Sequence, residues 1–593
     1  MGFVCEMGRN RGQIYKKRKF HGNRFTVNKS DINNSVNSVD SDVSNSASGS
    51  NLKTPRVGKQ EVISASKRKL FSDDEDVHNS SQEQETGNNI IIDVNILSEF
   101  VNKNTNCKYC NNSDCVYIME DVSVRKGLSS KLVLKCDFCK HESSARSSKL
   151  ASNKVYEVNL KMVYGMRCIG RGQSGAKTLC GILDLPPQPA KFSNYNNIME
   201  ESVRNACEAS MKKAAHEAVV ENGGSTDVTV AVDGSWQKRG HSSLHGVVSA
   251  TLFDTGKVVD VDVLSKYCQG CQVNQEGHIC VKNFDGASGG MEAVGAVNMF
   301  GRSESERGLR YVKYLGDGDS KGFMKVNESK PYGDLLTEKL ECVGHVMKRL
   351  GCRLRKWKKD MKGKKLSDGK CVGGTGRLTD AEIDKLQQYY GLAIRRNVND
   401  VKAMQRAVWA TYFHKCSTDD KPIHQLCPKG SDSWCKYQKA AATGATYKHT
   451  HSLPSSIMEA IKPIYRDLSQ PNLLKKCVHG KTQNVNESLN NCLWERIPKN
   501  IFVGAQTLRI GVFDAVLTFN DGVVAREKVL SNMGVVTGSN CKKALRAIDN
   551  IRIIYDNRAA EAMSKESRTE SRLQMKRKEA DEDGQDDYCA GKY

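Results

Sequence analysis

Three acids stand where strand and helix patterns would aim them at one point. Val228, Val230 and Val232 alternate along VTVAVDGSW, and Asp233 ends the run. A second strand pattern, RYVKYLGDGDS over Arg310 to Ser320, runs into Asp317, with Asp319 two residues later. The third acid is Glu487 in KTQNVNESLNNCLWERIPKN, where Val485, Leu489, Leu493 and Trp494 suit a helix that Pro498 stops. Hard divalent cations take oxygen ligands. Two of them about 3.5–4 Å apart can clamp the attacking and leaving oxygens of an in-line phosphoryl displacement. Any one of these acids, taken alone among the 68 in the chain, reads as surface charge; their order and the two strand-end positions set the three apart.

The elements needed to position them are legible around Asp233. After its strand comes a second, about Leu244 to Phe253, then a turn at Asp254-Thr255-Gly256, then a third strand about Val258 to Leu264. This predicts a β-meander followed by the Arg310 strand. Residues 333 to 475 read as mostly helical, so the interval between Asp317 and Glu487 is a helical insertion.

Cysteine and histidine spacing points to zinc. The chain has 22 cysteines, and without a secretory signal pattern, short Cys spacings mean metal or catalysis more often than disulfides. Cys107-x2-Cys110 and Cys136-x2-Cys139 form two knuckles 25 residues apart, with Cys115 and His141 as spare ligands. Cys268-x2-Cys271 with His278-x-Cys280 is a second candidate, and His424-x2-Cys427 with Cys435 and upstream His414 a third. A fourth pairs Cys342-x2-His345 with Cys477-x-His479 across the insertion, to give a split tetrad. For each, buried free cysteines and satisfied histidines are the plain alternative.

The net charge is +22, which implies a polyanionic partner, most commonly nucleic acid. The block GCRLRKWKKDMKGKK carries Arg353, Arg355, Lys356, Lys358 and Lys359 around Trp357. Its cations suit phosphates and its aromatic ring could stack on an unpaired base; a solvated helical face is the alternative. Lys238, Arg239 and His241 follow Asp233 closely enough to meet a scissile phosphate. Val163 to Pro186 has the rhythm of a helix-turn-helix, which a plain helical scaffold would share. No apolar run is long enough to span a bilayer.

The segmentation that follows is a basic, polar, disordered tail over 1–90, a zinc module over 91–150, and a helical DNA-binding or scaffold region over 151–226. The α/β core runs over 227–332, the helical insertion over 333–475, the second part of the core (helix and strand) over 476–557, and a charged tail over 558–593. Basic clusters at Lys16–Lys19 and Lys67–Lys69 read as nuclear localisation signals.

The blocks DGSWQKRGHSS, YLGDGDS and HGKTQNVNESLN…WERIPK, in that order, resemble the signature blocks of a Mutator-like transposase domain family of animal genomes, over roughly residues 150 to 525. The resemblance implies an RNase H-like catalytic core, a mixed sheet flanked by helices, interrupted by the helical insertion. It implies that Asp233, Asp317 and Glu487 play the DDE roles; Asp319 and Glu495 are the alternates for the second and third. Related transposase superfamilies share a C/D-x2-H element, matched here by Cys342 and His345. The implied cofactors are two Mg²⁺ or Mn²⁺ per active site, beside structural Zn²⁺. The implied partners are double-stranded DNA, as terminal inverted repeats and target, and a second copy of the chain in a homo-oligomeric synaptic complex in the nucleus, with no membrane. A domesticated, non-catalytic DNA-binding protein, or a zinc-finger regulator with incidental acids, are the rival readings.

Overall fold

Alternating valines and helical apolar periods produce eighteen α-helices and eight strands among the described residues of the computed structural model: 64–70, 89–151, 154–238, 243–317, 321–450 and 452–562. All of these lie in one compact unit, Val62–Tyr593. It begins with α1 (Ala65–Leu70) and α2 (Val94–Asn104). A three-stranded antiparallel sheet follows: β1 (Val116–Lys126), β2 (Ser129–Cys136) and β3 (Glu142–Arg146). Three helices lead into the core: α3 (Glu157–Cys168), α4 (Gln173–Ile182) and the 29-residue α5 (Ser193–Glu221).

The main sheet contains β4 (Asp227–Trp236), β5 (His245–Leu252), β6 (Val258–Ser265), β7 (Arg310–Gly316) and β8 (Glu338–Glu341), in the order β6-β5-β4-β7-β8. The first three pair antiparallel, as hairpin connections allow; β7 and β8 add parallel to β4. Between β6 and β8 lie α6 (Gln269–Gln272), α7 (Met291–Arg302) and α8 (Lys321–Ser329). The insertion holds α9 (Val343–Asp360), α10 (Asp380–Arg395), α11 (Val401–Cys416), α12 (Lys436–Thr443), α13 (Ser455–Leu468) and α14 (Pro471–Lys475). The chain returns to the sheet with α15 (Asn484–Arg496) and α16 (Ala505–Asp521), and closes with α17 (Arg526–Asn532) and α18 (Ser539–Ala562).

Period 2 decides which face of β4 meets which layer. Val228, Val230 and Val232 pack with Met291, Met299 and Phe300 of α7 on one side of the sheet. The other side is covered through Val247, Val261 and Val263 by a layer built from α5, α15 and α16. The insertion has an apolar core of its own, made by α9, α10, α11 and α13 around Leu350, Leu386, Val408 and Ile461.

The structure corrects three expectations. Residues 501–557 contain helices and no strand. In α16 the run VFDAVLTF is buried on all sides, so it has the continuous apolar character of a central strand. Lys67–Lys69 do not lie in an unfolded segment: they form α1, where Lys69 is buried with its ammonium 3.6 Å from the Phe519 ring centre. Finally, β4 continues three residues past Asp233 to Trp236, because Gly234, Ser235 and Trp236 keep their pairing with β5. The Lys16–Lys19 cluster falls outside the described residues.

The α3–α4 turn is tied to α15 by a glycine. Gly170 has φ +68°, and a Cβ there would lie 2.3 Å from the Glu495 carbonyl oxygen. Gly170→Ala is therefore expected to lower stability by more than about 1 kcal/mol, since both the backbone conformation and the close approach disfavour it. Thermal unfolding of the variant beside a Gly172→Ala control, whose Cβ would meet nothing within 4 Å, checks this.

Candidate active site and metal centres

The acids predicted from sequence meet at one edge of the main sheet. Ala231 of β4 is level with Leu315 of β7, so two residues further along these parallel strands Asp233 and Asp317 stand side by side. Asp233 shares the strand face of Ala231 and Ser235, which is the face that α15 crosses. That helix is held down by a stripe of polar side chains at helical spacing. Gln483, at its N-cap, donates through Nε2 to the Val232 carbonyl (2.8 Å). Asn486 donates through Nδ2 to the Ala231 carbonyl (3.2 Å) and accepts from Thr251 Oγ1 (2.7 Å). Asn490 donates to Asp233 Oδ2 (2.8 Å), and Trp494 donates through Nε1 to Ser235 Oγ (2.8 Å). Gln483, Asn486, Asn490 and Trp494 recur every three or four residues, so they line one face. The next face carries Leu489 and Leu493 into the core. This geometry leaves Glu487, one residue past Asn486, at the open edge, with 59% of its side chain exposed.

Electrostatics links the three. Asp233 is pushed up to about 6, chiefly by burial, against the Asn490 hydrogen bond and the field of His345, and further by the charges of Glu487 and Asp317. A carboxylate raised in this way gains most from a cation. His345 Nδ1 lies 3.8 Å from Asp317 Oδ1, and Lys348 Nζ lies 3.9 Å from Glu487 Oε1. Both basic residues sit in the first turns of α9. Oxygen donors on one strand, just past its neighbour and on a helix, with one half-buried and two open to solvent, fit a hard divalent cation. Asp319 lies outside the described residues. Glu495 is two helical turns beyond Glu487, roughly 12 Å along the axis, beside the Gly170 turn.

Among the described residues, three Cys/His groups have ligand atoms within 4.8 Å of one another: Cys107, Cys110, Cys136 and Cys139; Cys268, Cys271, His278 and Cys280; and His414, His424, Cys427 and Cys435. Each set has the donors and number of a tetrahedral zinc site. In the first, the amide of Cys139 helps lower the Cys136 thiol to about 6. In the second, the amide of Cys271 does the same for Cys268, also to about 6. His278 Nδ1 donates to the Gln275 carbonyl (2.7 Å), which leaves Nε2 for a metal. In the third, His449 Nδ1 is 2.7 Å from Asp419 Oδ1 and its Nε2 is 2.9 Å from His424 Nε2. With His449 Nδ1–H donating to that carboxylate, its Nε2 accepts from His424 Nε2–H, and His424 Nδ1 is left facing Cys435 (3.4 Å). Elemental analysis of the purified full chain is expected to find about three zinc atoms, one per four-ligand set. Cys136→Ser and Cys435→Ser should each lose one; full occupancy in either variant would exclude that site.

The split tetrad is not assembled. Cys342 accepts a hydrogen bond from the Gln483 amide (3.3 Å) and adjoins His345. Cys477 is buried in the insertion core, which pushes its thiol up to about 12, and His479 Nε2 is spent on the carbonyls of Glu341 and Lys476 (both 3.1 Å). The two halves adjoin, with the Glu341 amide donating to the Lys476 carbonyl (2.8 Å), but apolar burial of one ligand and backbone capture of another keep the four donors from converging.

The cation block is also divided. Trp357 is half-buried and packs against the insertion core. Arg353 pairs with Asp467 (3.4 Å), Arg355 with Asp384, and Lys358 with Asp380 (2.9 Å). Lys356 and Lys359 are exposed. Lys238 is exposed just past β4, and Arg239 and His241 lie outside the described residues. Sequence reasoning missed Gln483, Asn486 and Asn490, although amides at helical period beside a leucine stripe were a visible sign that the helix docks on a polar edge.

The family model for the Mutator-like transposase matches residues 88–435, more than half of the chain. The match takes in Asp233, Asp317 and all three Cys/His groups, and ends before α15 and Glu487. No curated protein and no solved structure matches.

Proposed function

The chain belongs to the Mutator-like transposase family, and from that premise we propose that it is a DDE transposase that cuts and joins DNA at transposon ends. The observation that carries the reading is the register of Asp233 beside Asp317, with Glu487 brought to the same edge by the polar stripe of α15. A meander of three antiparallel strands extended by two parallel ones, with helices on both faces, supports an RNase H-like core.

Asp233, Asp317 and Glu487 hold the cations in this reading. Two divalent ions bound there would stabilise the entering and leaving oxygens of phosphodiester hydrolysis and of the later attack by a 3′-OH. Asn490 fixes one oxygen of Asp233 and leaves the other for a ligand. His345 orients Asp317. Lys348 supplies positive charge where the scissile phosphate approaches. Positioning and electrostatics provide most of the acceleration in such chemistry. The three Cys/His groups act as structural zinc staples, in the module preceding α3, in the loop after β6 and at the far side of the insertion. The substrates would be terminal inverted repeats and target DNA, engaged by a homo-oligomer in the nucleus.

The test is cleavage by the purified full chain of duplexes bearing the sequences that flank its gene on either side, with Mg²⁺ or Mn²⁺. Strand cleavage at the repeat end and joining to a target duplex are expected. Tight binding with no cleavage in either metal would favour the domesticated, non-catalytic alternative.

A further inference from the structure

The outward face of α9 is set apart from the rest of that helix by its free charge and by where it begins. Val346, Leu350 and Leu354 bury one side in the insertion core. At 100° per residue, His345, Lys348, Cys352, Lys356 and Lys359 fall within a stripe about 80° wide on the opposite side. From Lys348 onward these residues are exposed. The flanking cations Arg353, Arg355 and Lys358 are held by acids of α10 and α13. The ammonium groups of Lys356, Lys359 and Lys362 make no ion pair or hydrogen bond among the described residues. The stripe starts at the acidic edge, where Lys348 is 3.9 Å from Glu487. It ends at a cleft of about 380 Å³ whose lining includes Lys359, Lys362 and Gly363 together with the ion-paired Arg355 and Lys358.

We propose that this face is a track that leads the phosphodiester backbone of duplex DNA from the Lys359–Lys362 cleft to the carboxylates. The proposal rests on the transposase reading of the site and specifies its substrate path. Lys348 to Lys359 covers roughly 16 Å, about five phosphate steps of one strand of a duplex. Free ammonium groups displace the counterions condensed on phosphates, while cations already paired with carboxylates give up that contact to do so. The sequence block is thereby sorted: Arg353, Arg355 and Lys358 fasten the insertion, and Lys356, Lys359 and Lys362 meet DNA.

The full chain carrying Lys356→Glu, Lys359→Glu and Lys362→Glu together is compared with wild type for binding a fluorescent duplex of arbitrary sequence over a range of salt. The log–log slope is expected to flatten by about 0.9 for each phosphate that the variant no longer neutralises. An Arg353→Gln variant, outside the cleft lining, should keep the wild-type slope. Duplex should also slow alkylation of Cys352, read by peptide mass analysis. An unchanged slope in the triple variant, an equal loss in the Arg353→Gln variant, or unprotected Cys352 would each overturn the track. Both readouts are independent of cleavage. Protected Cys352 with a flattened slope, in a chain that never cleaves, supports the track and refutes the transposase chemistry; cleavage with an unaltered slope does the reverse.

Discussion

Asp233→Ala, Asp317→Ala and Glu487→Ala are each expected to lower metal-dependent cleavage by a factor on the order of 10³, as loss of a preorganised charge-stabilising group does. DNA affinity should be nearly unchanged. The three side chains serve one cluster, so double variants should be little worse than singles. Loss of affinity in parallel with activity would mean that the acids shape the fold and not the chemistry. Asp319→Ala should cost less than Asp317→Ala, because Asp317 follows β7 directly and stands beside His345; the opposite ranking would move the second ligand. Asn490→Ala is a graded case. It frees Asp233 Oδ2 without removing a ligand, and its expected loss is smaller and partly recovered at higher metal concentration. A Glu495→Ala chain as inactive as Glu487→Ala would mean that α15 presents a different acid.

The second large effect is expected far from these acids. Asp514 of α16 is buried and joins four helices. It accepts from Tyr164 of α3 (2.9 Å), Arg496 at the end of α15 (2.6 Å) and Arg526 of α17 (2.7 Å). Removing one partner of such a pair leaves an uncompensated buried charge, here two. Asp514→Ala should therefore cost about 3–5 kcal/mol, and it should loosen the helix that carries Glu487. The pH dependence has a definite sign. Burial alone would raise this carboxyl, but Arg526 and Arg496 hold it well below the usual carboxylate range. The native state then binds fewer protons than the unfolded one. The stabilisation is full above the unfolded aspartate value, about 3.9, and is lost as the pH falls through and below it. Denaturant unfolding at neutral pH should show the whole difference between wild type and Asp514→Asn, and the gap should narrow below about pH 4. A gap independent of pH would show that packing, not charge, is what the substitution removes.

Much of this protein was legible as pattern. The meander around Asp233, the acid after the Arg310 strand, the helix of Glu487 and the helical insertion all follow from apolar periods of 2 and 3.6 with turn residues between them. The members of three Cys/His groups were legible as well, because short ligand spacings are local properties of the chain. The exception was the split tetrad. Cys477 and His479 have suitable spacing, but whether they meet Cys342 depends on how the insertion core claims the thiol and which carbonyls claim the imidazole.

Periodic and local features were therefore set along the chain: element types, which residues are acids, and which cysteines lie close enough to share a metal. Register and partnership arose only on folding. Folding placed Asp233 level with Asp317 across a parallel pair that is 83 residues apart in sequence at Asp227 and Arg310, and it chose the partners of the α15 amides, the Val232 and Ala231 carbonyls and Asp233, which their helical period alone does not name. It also divided one cation block into fastened and free charges, since only the folded insertion brings Asp380, Asp384 and Asp467 to α9. The reason is that pairing energy depends on distance and solvent exposure. A lysine has the same charge in any sequence, but its freedom to bind phosphate exists only where the fold leaves it without a carboxylate.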